Sequence, residues 1–422
     1  MVARPLARYL LDRCGFQVAM ADLDVGRAGA IVAAHPLGRA LSCDARDVDS
    51  VDRLVADAEL VVSLLPPALH PGVARACLRH RRSLVTTSYV SAEMQALDGE
   101  ARARGVLLLN EVGEDPGLDH MGARSLIAAA AAAGARVVGL RSYGAGLPVL
   151  DDSPNPVGYK LSWSPRGVLL AARNPAVYLD RGRVVEVPAA AVFDAPERLV
   201  IAGVGVFEAY PNRDCLRYRE AFGLPEDGSL LRGLLRHPGW CETMRAFIAL
   251  GLLDDERVHD RSGRTCLEQV AAAAGVEPTV EGIAAHLGVD PGSPLVERLR
   301  WLGLLDRTPA PTGVDLLLEL MLRRLSYGPG ERDMVIVHNE ITVVLDGARE
   351  RRGSTLVLVG EPSGQGDTAM SRAVSWPAAV AARLILEGRV GLTGVRLPVA
   401  PELYEPVLAE LEGMGLAFRE RE

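Results

Sequence analysis

The segment NPVGYKLSWSPRG, residues 155–167, holds Lys160, the one lysine in a chain of 422 residues whose Lys+Arg total is 46. Arginine keeps a surface charge but does not release its proton near neutral pH, whereas a partly buried amine can. Lys160 therefore reads either as a group that titrates in a site or as a compact charge in a tight slot. A second concentration of chemistry lies in NEVGEDPGLDH, residues 110–120, which packs acids, two glycines, a proline and a histidine into one short loop, poor core material and good site material. Within it Asp119 and His120 are acid–base candidates, or the cap and first-turn pair of the helix that follows. Ser88 and Tyr89 in TTSYV stand just beyond the end of a predicted strand, where α/β sheets bind ligands.

Those residues need a scaffold, and the composition says which kind. The hydrophobic share of 49% and charged share of 24% describe an ordinary globular chain with room for two or three domains. A net charge of -8, no basic run and 5% aromatics exclude a nucleic-acid surface. Six scattered cysteines form no CxxC pair and no metal-like spacing with histidine, so no metal is expected and the thiols read as reduced. The start of the chain lacks the continuous apolar core of a secretory signal, and the longest apolar run, 126–133, is too short for a bilayer. A cytoplasmic protein without membrane or nucleic-acid partners is the expectation.

The pattern along the chain predicts an α/β fold. A helix with Leu6, Leu10 and Leu11 on one face ends at Gly15. Short apolar strands follow at 16–21, 41–43, 60–65, 83–87 and 106–110, separated by helices near 48–58, 71–80 and 92–104. This alternation means βαβ units and a parallel sheet. Asp22 or Asp24, after the first of these strands, is placed to hold an adenosine ribose, yet no strand and glycine-rich turn precede the opening helix. Beyond a helix at 121–133 and a strand at 137–143, strands are expected at 184–187, 192–193 and 199–201, and a polar turn at 207–215. The spacing from 216 to about 325 is helical almost throughout. Strands return at 333–341 and 354–360, with closing helices at 378–386 and 402–413.

In order, SLLPPALHPGVARACL, TTSYVSAEM, NEVGEDPGLDHM, SYGAGLP, NPVGYKLSWSPRGVLL, YPNRD, LRGLLRHPG, WLGLLD, LSYGPGERDMVIV and PELYEPVLAELEGMG resemble saccharopine dehydrogenase of the glutamate-forming type over nearly the whole chain. The resemblance implies a Rossmann-like domain at 1–118, completed by 370–422, an α/β substrate domain at 119–215 and 326–369, and a helical domain at 216–325. It implies oxidative cleavage of saccharopine, with NAD or NADP and water, to glutamate and aminoadipate semialdehyde. It also places Thr87, Ser88, Glu114, Asp115, Pro116 and Trp163 against the cofactor, with Asp44 and Ala45 near its adenine and Leu65 near its middle. Ser88, Tyr89, Asp115, Arg213, Leu234, Leu235 and Arg236 match substrate positions, the arginines gripping carboxylates.

The N-terminal residues Val2, Ala3, Arg4 and Pro5 resemble the end of the family's GxGxxxxP turn, so the nucleotide domain is expected to lack its first strand. Asp22 favours NAD over NADP, since a carboxylate bonds ribose hydroxyls and repels a 2′-phosphate. Gly144 replaces a usual cysteine, Glu114 a leucine and Leu234 a threonine. Catalysis needs a neutral amine, then water on an imine, then a proton for the departing nitrogen. Lys160, its pKa depressed by Arg166 or by burial, is the first candidate for that work, followed by His120 and Asp119. A relative acting on another secondary amine, such as carboxynorspermidine, and a non-catalytic paralogue remain the alternatives. A homodimer is the expected assembly.

Overall fold

A computed structural model describes residues 2–162, 164–253, 264–308 and 316–421; the expected cofactor contact Trp163 lies outside the described residues. The chain opens with α1 (Ala3–Arg8), β1 (Val18–Asp22), α2 (Val25–Val32), β2 (Gly38–Ser42), α3 (Val48–Ala56) and β3 (Leu60–Ser63). It continues through α4 (His70–His80), β4 (Ser83–Thr86), α5 (Ala92–Gln95), α6 (Asp98–Arg104), β5 (Leu107–Leu109), α7 (Leu118–Ala132) and β6 (Arg136–Pro148). Next come α8 (Pro165–Ala171), β7 (Ala176–Asp180), β8 (Arg183–Val187), β9 (Glu197–Ile201), β10 (Gly205–Pro211), α9 (Tyr218–Phe222) and β11 (Ser229–Arg236). Helices α10 (Trp240–Ala249), α11 (Cys266–Ala274), α12 (Val280–Leu287), α13 (Pro294–Leu302) and α14 (Leu316–Leu325) follow. The chain closes with β12 (Asp333–Leu345), β13 (Ala348–Val359), α15 (Ala369–Leu386), β14 (Gly394–Arg396), α16 (Pro401–Gly413) and β15 (Phe418–Arg421).

Two compact units result. The first takes the chain up to Val137, then Val335–Leu358 and the chain from Asp367 onward; the second takes Val138–Met334 and Val359–Gly366. Helix α7 and the 335–358 strands thus fall with the nucleotide-type unit, and helices α10–α14 share the second unit with β6–β11. The apolar faces of α7 and the strands decide the first grouping: Leu118, Met121, Val335, Val337 and Leu356 sit in one buried cluster with α15 and α16.

In the first unit the parallel strands fall into two sheets, β1–β2 and β14–β5–β4–β3. A doubly wound sheet grows outward from its first strand in both directions. Here β1 and β3 would be the two neighbours of such a strand, and they are not hydrogen-bonded to each other. The inner face is covered by α15, whose small residues Ala378, Ala379, Ala381 and Ala382 are all fully buried and let backbones approach closely.

The second unit is built on β6, β11, β10 and β9, with β7 and β8 attached through β11. Three sequence expectations change here. The segment 229–236, expected to be helical, is strand β11, parallel to β6 and antiparallel to β10. It has sheet on both sides, with Leu230 and Leu235 buried and Leu231 and Leu234 half-buried, and such short apolar runs do not distinguish strand from helix by period. Residues 207–211 of the expected polar turn are strand β10, and the turn proper begins at Asn212. Val192 and Phe193, expected as a strand, follow a short 3-10 turn instead; their apolar character comes from burial, Phe193 packing on the Tyr210 ring at 5.0 Å.

Candidate active site

A densely bonded polar cluster of the first unit stands at the C-terminal ends of β3 and β4. Pro66 and Pro67 stop β3 and turn the chain into α4, which places His70 in that helix's first turn, almost wholly buried. Its Nδ1 lies 2.9 Å from Ser63 Oγ, and its Nε2 lies 2.8 Å from Ser88 Oγ and 3.2 Å from Thr86 Oγ1. Burial without an ionised partner pushes His70 down to about 4, so the ring is neutral at physiological pH.

One residue on, Tyr89 Oη donates to Asp115 Oδ1 at 2.7 Å. The backbone on either side is fixed. Thr86 Oγ1 accepts from the Ser88 amide at 3.3 Å, Ser88 O accepts from the Glu111 amide at 3.2 Å, and Glu111 Oε1 accepts from the Val90 amide at 2.9 Å. Glu111 is fully buried, holds a left-handed backbone with φ 61°, and places Oε2 2.8 Å from His120 Nε2. The residue that caps α7 is Gly117, and Asp119 in the first turn accepts from the Gly117 amide at 2.6 Å. Asp119 and His120 are buried at the helix start, behind the loop that carries Glu114, Asp115 and Pro116.

The remaining cofactor residues expected in this unit also follow strand ends. Asp22 closes β1, and its Oδ1 accepts from the Asp24 amide at 2.9 Å. Asp24 is spent as the cap of α2, bonded to the Gly26 and Arg27 amides, and those donors hold its carboxyl below the usual range. Asp44 and Ala45 follow β2, with Asp44 paired to Arg46; Leu65 follows β3, and Thr87 follows β4. Half-buried Asp22 at a strand end fits the hydroxyls of a dinucleotide ribose. Val2, Ala3, Arg4 and Pro5 form the start of α1 and are tied to the C-terminal part of the chain: Arg4 lies 3.4 Å from Asp367, and Ser375 Oγ donates to the Val2 carbonyl.

In the second unit Lys160 is almost fully buried. The ammonium donates to Glu331 Oε2 and, at 3.1 Å, to the Ser326 carbonyl. Burial opposes the Glu331 charge, yet Lys160, the Gly328 amide and Ser153 Oγ at 2.8 Å hold its carboxyl below the usual range. Arg236 ends β11 with its guanidinium 5.3 Å from the Tyr159 ring centre and 5.6 Å from that of Trp240, an arrangement in which a planar cation is held by aromatic faces. Glu208 fixes the following turn by accepting from the Gly239 and Cys241 amides at 2.9 and 2.8 Å. Leu235 is buried, Leu234 pairs with Tyr210, and Arg213 is exposed with a left-handed φ of 60°. Gly144 pairs with Leu234 across β6 and β11.

Four residues of the cluster were not singled out by sequence reasoning: Ser63, His70, Thr86 and Glu111. His70 and Glu111 lie in recognisable motifs, PPALHP and NEVGED, but their roles depend on partners many residues away.

Parallel strands alternating with helices, and polar groups gathered at the strands' C-terminal ends, define the class: an α/β dinucleotide-binding protein. The saccharopine dehydrogenase NADP-binding domain model matches residues 1–109, and the saccharopine dehydrogenase C-terminal domain model matches residues 113–416. The chain belongs to the saccharopine dehydrogenase family. It is 33% identical over 435 residues to saccharopine dehydrogenase [NADP(+), L-glutamate-forming] of Pyricularia oryzae, covering all of this chain and 96% of that one. It is 34% identical over 386 residues to the mitochondrial alpha-aminoadipic semialdehyde synthase of Bos taurus, covering 88% of this chain and 41% of the relative. The solved apo saccharopine dehydrogenase (L-Glu forming) of Saccharomyces cerevisiae matches with a TM-score of 0.89 at 31% identity, covering 100% of this chain and 97% of that one.

Proposed function

We propose that the protein oxidises saccharopine, with NAD(P)+ and water, to L-glutamate and aminoadipate semialdehyde, or runs the reverse reaction in lysine metabolism. The observation that carries this reading is the Tyr89–Asp115 hydrogen bond beyond β4, flanked by Ser88, at the end of the sheet where nucleotide-dependent enzymes hold reacting groups. A bound nicotinamide would supply the hydride acceptor for the carbon beside the substrate nitrogen. Asp115 takes the proton of the secondary amine so that the nitrogen lone pair assists hydride loss, and returns a proton to the departing glutamate nitrogen after water has added to the imine. Tyr89 holds the Asp115 carboxylate in place through its hydroxyl. Thr87, Glu114 and Pro116 line the same loop pair. Asp119 and His120 are proposed to brace it from within.

We assign Lys160 to anchoring rather than proton transfer, because its ammonium is committed to Glu331 and Ser326. Arg213, Arg236, Leu234 and Leu235 remain proposed substrate residues, the guanidiniums meeting carboxylates. Asp22 supports NAD as the preferred cofactor, although the fungal relatives named above use NADP(+). A cytoplasmic homodimer completes the proposal; among the described residues no helix is long and apolar enough to cross a membrane. The test is purified protein with saccharopine and either nucleotide, followed by reduced-nicotinamide absorbance and product glutamate. Absence of both products in both directions would refute the activity, and light scattering at the monomer mass would refute the dimer.

A further inference from the structure

His70 is a buried imidazole that the proposed chemistry does not use, and both of its ring nitrogens face hydroxyl groups. One oxygen, Ser63 Oγ, stands at Nδ1; two, Ser88 Oγ at 2.8 Å and Thr86 Oγ1 at 3.2 Å, stand at Nε2. A neutral imidazole has one N–H and one in-plane lone pair. An N–H can be shared between two acceptors, as three-centre bonds are, whereas a single lone pair is poorly placed to accept from two hydroxyls. Thr86 Oγ1 also accepts from the Ser88 amide at 3.3 Å, which makes it an acceptor already.

We propose that His70 is a positioning residue in its Nε2–H form, accepting from Ser63 at Nδ1 and donating to Ser88, so that the Ser88 hydroxyl proton is left to point at an acceptor oxygen of the bound ligand. In the opposite tautomer Ser88 would spend its proton on the ring and offer only lone pairs, which repel a carboxylate or phosphate. The histidine thus selects the polarity of the one side-chain hydroxyl next to Tyr89. The ligand oxygen belongs either to a substrate carboxylate or to the nucleotide, two sources of the same acceptor chemistry.

This inference rests on the active-site reading above, and its test has one arm that does not. In full-length protein labelled at histidine nitrogens, the His70 signals report a neutral ring with the proton on Nε2; Ser88→Ala shifts the Nε2 signal and Ser63→Ala the Nδ1 signal. A proton on Nδ1, or a ring indifferent to Ser88→Ala, overturns the proposal whether or not the protein turns over saccharopine. In the kinetic arm, His70→Gln places a donor where Nε2 stood and retains turnover within about threefold. His70→Asn places a group only where Nδ1 stood and, like His70→Leu, loses about 10- to 100-fold in kcat/KM. Equal activity of the Gln and Asn variants overturns it, and the KM that rises in Ser88→Ala, saccharopine's or the nucleotide's, identifies the ligand oxygen. If wild-type protein shows no saccharopine activity, the functional reading fails and the spectrum alone decides the tautomer.

Discussion

Lys160 Nζ donates to Glu331 Oε2, so the one ammonium side chain of the molecule ties the turn at 326–331 to the segment at 155–162. The backbone repeats the tie: the Leu161 amide donates to the Leu325 carbonyl at 2.8 Å. Removing one partner of this part-buried pair leaves the other charge less well compensated, at a cost of roughly 1 to 2 kcal/mol. Lys160→Met is therefore expected to lose about that much stability in urea unfolding, while turnover per folded molecule stays near wild type. Adding Glu331→Leu should restore part of the loss. Turnover abolished in a fully stable Lys160→Met protein would return Lys160 to the catalytic role that its rarity in the sequence first suggests.

Asp115 and Tyr89 should behave as one unit. Asp115→Asn keeps the shape but cannot take a proton, and kcat is expected to fall on the order of 100-fold or more. Tyr89→Phe removes the bond that orients Asp115, and the double variant should lose much less than the two single effects combined. Independent, multiplying effects in steady-state kinetics would separate the two residues.

The neutral state of His70 links stability to pH. Its value is 6.5 when free and about 4 in the folded chain, so between those limits the unfolded chain binds the extra proton. Stability contributed by this group is complete above pH 6.5 and falls as the pH drops toward about 4, by up to about 3 kcal/mol. The difference in urea midpoint between wild type and His70→Gln should shrink across that window. A constant difference would show that the buried ring does not titrate there.

Cofactor choice should turn on Asp22. Wild type is expected to prefer NAD, and Asp22→Ser to shift the kcat/KM ratio toward NADP by about tenfold, which corresponds to about 1.4 kcal/mol. A wild-type preference for NADP would place the 2′-phosphate away from this carboxylate.

Gly117 has φ 146°, and a Cβ there would fall inside the Gly113 backbone. Gly117→Ala should cost roughly 3 kcal/mol or more, seen as a lowered melting temperature, because the loop bearing Asp115 must open to admit it.

The sequence alone determined the parallel βαβ architecture, the placing of Asp22, Leu65 and Ser88 at or just beyond strand ends, and the family, because hydrophobic periodicity and ordered motifs are local properties of the chain. It misjudged β11, where Leu230–Arg236 is enclosed by β6 and β10 and the alternation that marks a half-exposed strand is lost. Only the tertiary structure decided what the polar residues do. Lys160 met Glu331, and His70 met Ser63 and Ser88. Glu111 met both the Val90 amide and His120. Each of those partners is set by the fold, and the charge, tautomer and orientation of a buried group follow from its partners rather than from its own letter in the sequence.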